Sequence, residues 1–418
     1  MYKQVDVITK GHGFKTECRG CGSVIIEEVL SLGNSPLANN LLENSSQEYE
    51  TYPLEIEYCS KCHNVQLNYV VEPEKMFSNY LYVSSTAKSF REHFECAAVD
   101  YISRFGLNEH SLVVDIGSND GVFLKPLRDR SVRVVGVEPA KNISDIANSI
   151  GVTTINSFFN TDTVGQIKKI HGNARIVTAS NVFAHSDNLV QMTNDVFSLL
   201  EENGIFVIEV QYLLDTINDL TFDNIYHEHV NYWSVTSISN FFERLGFFVV
   251  DVEHIDTHGG SIRVFVGRKK VESENLKKFL SEEDRFGLKD YSTYVKFGDK
   301  VRNLRDNVRK NLDSLNSGMR VAAYGSPAKA TTALNFYGVD SSSIEYTVED
   351  NPLKKNKVIP GTGIVIKDKQ YCRENLPDVI VVLAWNFFDD IKRNNQDLIE
   401  RGVRFVSIKD LEKENFKI

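Results

Sequence analysis

Two stretches of the chain alternate short apolar runs with helix-length amphipathic segments. In the first, SLVVDIG (111–117), VRVVGVEP (132–139), ARIVTASNV (174–182) and GIFVIEVQ (204–211) are β-branched and end on polar or glycine residues. Segments such as KNISDIANSI and SDNLVQMTNDVFSLLEENG lie between them. Strands spaced by helices predict a parallel, doubly wound sheet covered on both faces. FFERLGFFVVDVEHI and SIRVFVGRK add a helix and two closing strands. A charged helical stretch over about 272–317 follows and reads as a connector with a solvated face. The second alternation is MRVAAYGSPAKATTALNFYG, IEYTVEDNP, DVIVVLAWN and RFVSIKD. Before both, residues 76–110 become helical around TAKSFREHFECAAVDYISRFG, whereas 1–75 have few long periodic helices and SLGNSPLANN reads as loop. The expected organisation is α/β throughout, with a small module over 1–75, a sheet domain over 76–270 and a second over 271–418 including the helical connector.

Composition agrees with a soluble globular protein: 42% hydrophobic and 25% charged over 418 residues. That length implies two or three domains. The net charge of −10 disfavours a dedicated nucleic-acid binder, which needs Lys and Arg against phosphate. No apolar run reaches 18 residues and the N-terminus lacks a signal-peptide core, so a cytoplasmic protein without membrane partners is expected.

The cysteines change the picture of the first module. Four of six form close pairs, Cys18/Cys21 in CRGC and Cys59/Cys62 in CSKC. In a reducing compartment two C-x2-C knuckles read as zinc before disulfide, and four thiolates close a tetrahedral shell with no open position for chemistry. A module with little core is well served by such a crosslink.

VVDIGSNDG carries the next signal. Asp115, Gly117 and Gly121 stand where a strand ends and a helix starts, where glycine tightens the turn and backbone N–H groups face outward. D-x-G-x-x-x-G is not the dinucleotide fingerprint, but it matches the first motif of class I S-adenosylmethionine methyltransferases. Glu138 ends the next strand, where an acid accepts ribose hydroxyls. The turn in AAYGSPAKATTALNF is weaker: Gly325 follows a strand and Lys329 is near a helix start, which fits a phosphate contact or an ordinary βα turn.

IYHEHVNYW (225–233) concentrates Tyr226, His227, Glu228 and His229 between apolar neighbours. It does not match the H-E-x-x-H metal pattern, and a hydrogen-bonded polar turn is the plain alternative. Its place a dozen residues after GIFVIEV puts it at the ligand-binding edge of the sheet, which favours acid–base work.

With these pieces in order, the chain resembles the sugar C-methyltransferases that act on nucleotide-linked 4-keto-deoxysugars, the group containing the tetronitrose C-3 methyltransferase. The resemblance spans nearly the whole chain: both knuckles, LYVSSTAKSFREHF, VVDIGSNDGVFL, NVFAH, IYHEHVNYWS, HGGSIRV, AYGSPAKATTALNF, NPLKKNKVIPG and LAWN. It implies a zinc module, a central methyltransferase domain and a C-terminal Rossmann-like domain helping to hold the nucleotide sugar. It implies that Tyr226, Glu228, His229 and His185 line the reaction centre, with His229 as general base. It also implies that Tyr82, Asn119 and Asn181 join Asp115, Gly117, Gly121 and Glu138 around S-adenosylmethionine. Tyr324, Gly325 and Lys329 would face the substrate. His227 stands where an acid or another polar residue is expected, and is left without a role. A monomer or weak homodimer is expected. The competing readings are a sugar O- or N-methyltransferase of the same fold, a zinc-ribbon RNA methyltransferase, and a scaffold with a degenerate cofactor pocket.

Overall fold

A computed structural model describes residues 3–4, 13–77, 84–86, 88–257 and 259–417. Tyr82 lies outside the described residues.

The N-terminal module is built on a long antiparallel pair, Ile26–Pro36 with Glu50–Cys59. Alternation along the second strand turns Leu54, Ile56 and Tyr58 inward, the period-2 pattern of a half-buried strand. Val65–Leu67 pairs antiparallel with Glu50–Cys59, and on its other side it receives Asn231–Tyr232. That last strand lies some 160 residues further along the chain, immediately after the Tyr226–His229 stretch. The expectation of loop over SLGNSPLANN (31–40) is corrected for its first six residues, which belong to the first strand; a register shift between Ser31 and Asn34 interrupts the pairing there.

Among the described residues, the central sheet runs in space Phe248–Ile255, Ser261–Gly267, Leu200–Gln211, Ala174–Ser180, Leu112–Ile116, Arg133–Val137 and Thr154–Ile155. Only Ser261–Gly267 is antiparallel to its neighbours. Every residue of Leu112–Ile116 is buried, because helices cover both faces. Local chemistry sets the helix starts. Asn160 accepts the Thr163 N–H, and Ser234 and Ser237 form a reciprocal capping box. The buried Glu283 accepts the Val235 and Thr236 N–H groups at 2.5 and 2.8 Å.

The C-terminal sheet is wholly parallel, ordered Val365–Lys367, Tyr346–Val348, Val321–Tyr324, Val379–Val382 and Arg404–Ser407. The charged connector is two helices, Glu274–Phe286 and Tyr291–Asn316. The second has a solvated face and also acts as a brace. Tyr291 donates to the Glu28 carbonyl in the N-terminal module, and Asn311 donates to the Leu411 carbonyl in the C-terminal domain. One apolar cluster includes Leu54 and Val65 of the first module, Phe222, Ile225 and Val230 beside the reactive stretch, and Leu334 and Val381 of the last domain. The segment 222–233 is therefore embedded where all three domains meet.

Candidate active site and zinc cluster

The four predicted metal ligands come together. The sulfurs of Cys18, Cys21, Cys59 and Cys62 all lie within 4.8 Å of one another, with Cys18–Cys62 at 3.5 Å and Cys21–Cys59 at 3.7 Å. A regular tetrahedron with Zn–S bonds of about 2.3 Å has edges of about 3.8 Å, so this donor set fits a structural zinc. A Cβ on Gly20 would stand 3.3 Å from the Cys62 sulfur, which is why glycine occupies that place in the knuckle.

The residues expected to hold the cofactor come together at the C-terminal ends of Leu112–Ile116, Arg133–Val137 and Ala174–Ser180, as a candidate cradle. Gly117 has φ +64°, and an added Cβ would meet Val182 at 2.5 Å, so no side chain is tolerated there. Gly121, also at positive φ, lies close on Val152. Asn119 and Asn181 both adopt the left-handed region at φ 47° and 56°, where asparagine is better accommodated than most residues. The Asn119 side chain accepts the Ser84 N–H at 2.9 Å, which ties the turn to the start of the helical segment. Glu138 accepts the Asn119 N–H at 3.0 Å and the Ala140 N–H at 2.9 Å. Burial raises its pKa, and those two donors partly offset the rise. Asp115 is buried and accepts the Thr178 hydroxyl at 2.6 Å; burial pushes its pKa to about 7.

Asn181 leads within four residues to His185, so the cradle and the reactive stretch are physically continuous. The His185 and His229 rings stack at 5.1 Å and 28°, and Tyr226 lies 4.1 Å from His229. Phe77 stacks on the other side of His185 at 5.5 Å. Burial drives the His185 pKa down to about 4, so its ring is neutral at physiological pH. His229 Nδ1 is 2.8 Å from the Asn224 carbonyl. A carbonyl only accepts, so Nδ1 carries a proton, and in the neutral ring the lone pair is on Nε2. Glu228 accepts a hydrogen bond from Asn39 of the N-terminal module at 2.5 Å. His227, without a role in the sequence, is buried with Nε2 3.2 and 3.3 Å from the Pro53 and Tyr52 carbonyls, and burial lowers its pKa to about 4. It anchors the stretch to the first module. A cavity of about 280 Å³ opens between Asn39, Lys75, Met76, His227, Glu228 and Lys357.

In the C-terminal domain Gly325 has φ +91°, and a Cβ there would meet Ala384 at 2.9 Å. The Tyr324 hydroxyl donates to Asp350 at 3.0 Å. Lys329 is buried with its ammonium 4.9 Å from the Trp385 ring. Burial lowers its pKa, against the pull of Asp223. Trp385 in turn donates to Asp223 at 2.7 Å, one residue before Asn224. In EDN (349–351), which the sequence offers as a second polar rim or only a turn, Glu349 accepts the Ser326 N–H and hydroxyl at 2.9 and 2.7 Å. It repeats the Glu138 arrangement one domain later; its position at the end of the strand after the βα turn was a usable signal. Asn39, Asp223 and Asn224 had none, because their partners are distant in sequence.

Comparison with known proteins agrees with this architecture. A zinc binding domain family matches residues 18–77, a methyltransferase domain family 90–252, and a C-methyltransferase C-terminal domain family 256–408. The C-methyltransferase NovU of Streptomyces niveus is 36% identical over 396 residues, covering 93% of this chain and 94% of NovU. Among solved structures, a SAM dependent methyltransferase from Archaeoglobus fulgidus is 18% identical with TM-score 0.35, covering 43% of this chain and 94% of its own. The magnesium protoporphyrin IX methyltransferase of Synechocystis PCC 6803 with bound SAM is 14% identical with TM-score 0.32, covering 43% and 79%.

Proposed function

The chain belongs to the family of C-methyltransferases that includes NovU, and from that premise we propose that it methylates the carbon beside the ketone of a nucleotide-linked 4-keto-6-deoxysugar. S-adenosylmethionine, when bound, supplies the electrophilic methyl group. The residues of this chain hold the cofactor, generate the carbon nucleophile and exclude water.

The observation that carries the reading is the state of His229. With Nδ1–H bound to the Asn224 carbonyl, Nε2 is the basic nitrogen of the neutral ring, beside Tyr226 and His185. In the proposed step Nε2 takes the proton from the carbon next to the ketone. The C–H electron pair becomes the enolate, whose charge moves onto the ketone oxygen. The Tyr226 hydroxyl would donate to that oxygen, and a preorganised donor is worth most in a site shielded from water. His185, held neutral near 4, does not compete as an acid. Glu228 adds a negative charge one residue from the imidazolium that forms, and Asn39 orients it. The enolate carbon is then the nucleophile for the methyl group, and positioning supplies much of the rate.

For the nucleotide part of the substrate we assign the turn after Val321–Tyr324, with Tyr324, Gly325 and Lys329, and with Lys354 held at its rim by the Ser326 carbonyl at 2.8 Å. The deciding experiment incubates the protein with labelled S-adenosylmethionine and a panel of 4-keto-6-deoxy nucleotide sugars, then assigns the new methyl by NMR. A methyl on ring carbon is the expected product. A methyl on oxygen or nitrogen refutes the enolate step.

A further inference from the structure

Arg19 stands between the metal ligands Cys18 and Cys21, yet its side chain points away from the sulfurs into the interior and is only 4% exposed. Its Nε donates to Asp187 at 2.7 Å, and Nη1 donates to the Leu67 carbonyl at 2.6 Å and reaches the Val230 carbonyl at 3.4 Å. Lys15 holds the other oxygen of Asp187 at 2.6 Å. These partners are not arbitrary. Asp187 lies two residues after His185, and Val230 directly follows His229. The two segments also bond to each other, the Val230 N–H to the Ala184 carbonyl at 2.9 Å and the Asn231 side chain to the Ser186 carbonyl at 3.0 Å. Whatever fixes these backbones fixes the stacking of His185 on His229.

We infer that Arg19 is a positioning residue: its guanidinium clamps the segments bearing His185 and His229, so that the zinc knuckle sets the geometry of the reaction centre. A planar fork with several donors suits the task, since it binds a carboxylate and two carbonyls in different directions at once. The knuckle keeps the root of that fork still. The Cys18 N–H bonds the Ser23 carbonyl at 2.8 Å, the Gly22 N–H bonds the Cys18 carbonyl at 2.7 Å, and Gly20 packs on two sulfurs. An error of about 1 Å in the placement of reacting groups costs on the order of 10²-fold in rate, so a clamp here acts on turnover more than on cofactor binding.

The inference rests on the reaction centre proposed above, and the test separates the two. Arg19→Ala, Arg19→Lys, Asp187→Asn and His229→Asn are compared with wild type for turnover, S-adenosylhomocysteine affinity, zinc content and thermal midpoint. Arg19→Ala and Asp187→Asn are expected to lose roughly 10- to 100-fold in kcat, with cofactor affinity within twofold and one zinc per chain. Added guanidinium is expected to restore several-fold of the activity of Arg19→Ala and none of that of Asp187→Asn. Arg19→Lys should fall between the extremes. Wild-type turnover in Asp187→Asn and Arg19→Lys, beside an inactive His229→Asn, overturns the clamp while leaving the base in place. Loss of zinc or of cofactor binding in step with activity, with no guanidinium rescue, reduces Arg19 to a structural residue and also overturns it. A fully active His229→Asn removes the premise itself.

Discussion

Glu138 is the sharpest point at which to test the cofactor cradle, and the geometry dictates which substitution to use. The carboxylate is 6% exposed, and each oxygen already accepts one backbone N–H, from Asn119 and from Ala140. An ionised carboxylate has about four acceptor positions, so about two remain for the vicinal hydroxyls of a ribose. Glu138→Ala would remove those, but it would also strand two backbone donors at about 1–3 kcal/mol each and release a turn whose Asn119 is already at positive φ. Its effect would mix cofactor binding with local unfolding. Glu138→Gln keeps the shape and one acceptor oxygen, strands one backbone donor where Ala strands two, and removes the charge and one hydroxyl acceptor. The loss of a charge-assisted hydrogen bond is about 1.5–3 kcal/mol, which corresponds to roughly 10- to 150-fold in Kd. Calorimetric titration with S-adenosylhomocysteine reads this directly. A folded Glu138→Gln protein that binds within twofold of wild type places the ribose elsewhere and refutes the reasoning.

Other expectations follow from the same geometry. His229→Asn should lower turnover roughly 10²–10⁴-fold while S-adenosylhomocysteine affinity stays unchanged; a variant within a few-fold of wild type moves the base to Tyr226 or His185. Elemental analysis should give one zinc per wild-type chain and little in Cys18→Ser/Cys59→Ser; unchanged zinc in that variant would sink the four-sulfur assignment. Asp115, with a folded-state pKa of about 7 against an ordinary 3.8, favours the protonated native state. Its contribution is fully present below about pH 4 and is lost as pH rises through about 7, by at most about 4 kcal/mol at 1.36 kcal/mol per unit. Wild type without cofactor should therefore lose stability relative to Asp115→Asn between about pH 4 and 7, and a constant gap between the two unfolding curves over that range contradicts the burial argument.

The sheet domains were legible because their signals are local. Apolar runs such as Leu112–Ile116 are buried on both faces, and glycines such as Gly117 mark turns that no side chain can enter. The zinc ligands were legible for the same reason, since each knuckle declares itself within four residues. The reactive stretch was recognisable as unusual, but its inner logic was not. The proton position on His229 depends on the carbonyl of Asn224, the orientation of Glu228 on Asn39, and the seat of Asn224 on Trp385 through Asp223. His227 illustrates the limit, because its partners are the backbone carbonyls of residues 52 and 53, which carry no side-chain signature. The charges on Tyr291–Asn316 mark its solvated face, while its buried Tyr294, Phe297, Val301 and Leu312 join the apolar cluster shared by all three domains.

The bonds that shape the 222–233 segment span 189 residues from Asn39 to Glu228 and 162 from Asp223 to Trp385, and the clamp at Asp187 spans 168 from Arg19. None of these contacts forms early by local propensity, and each requires a large loop to close first. Both parallel sheets can be complete while the two histidines are still unregistered. During synthesis Asp223 gains its Trp385 partner only after residue 385 has been made, whereas Asn224 is already within reach of Gln211 and Thr221. Registration of the segment is thus a late event of maturation, and the presence of the cofactor alone does not confer it.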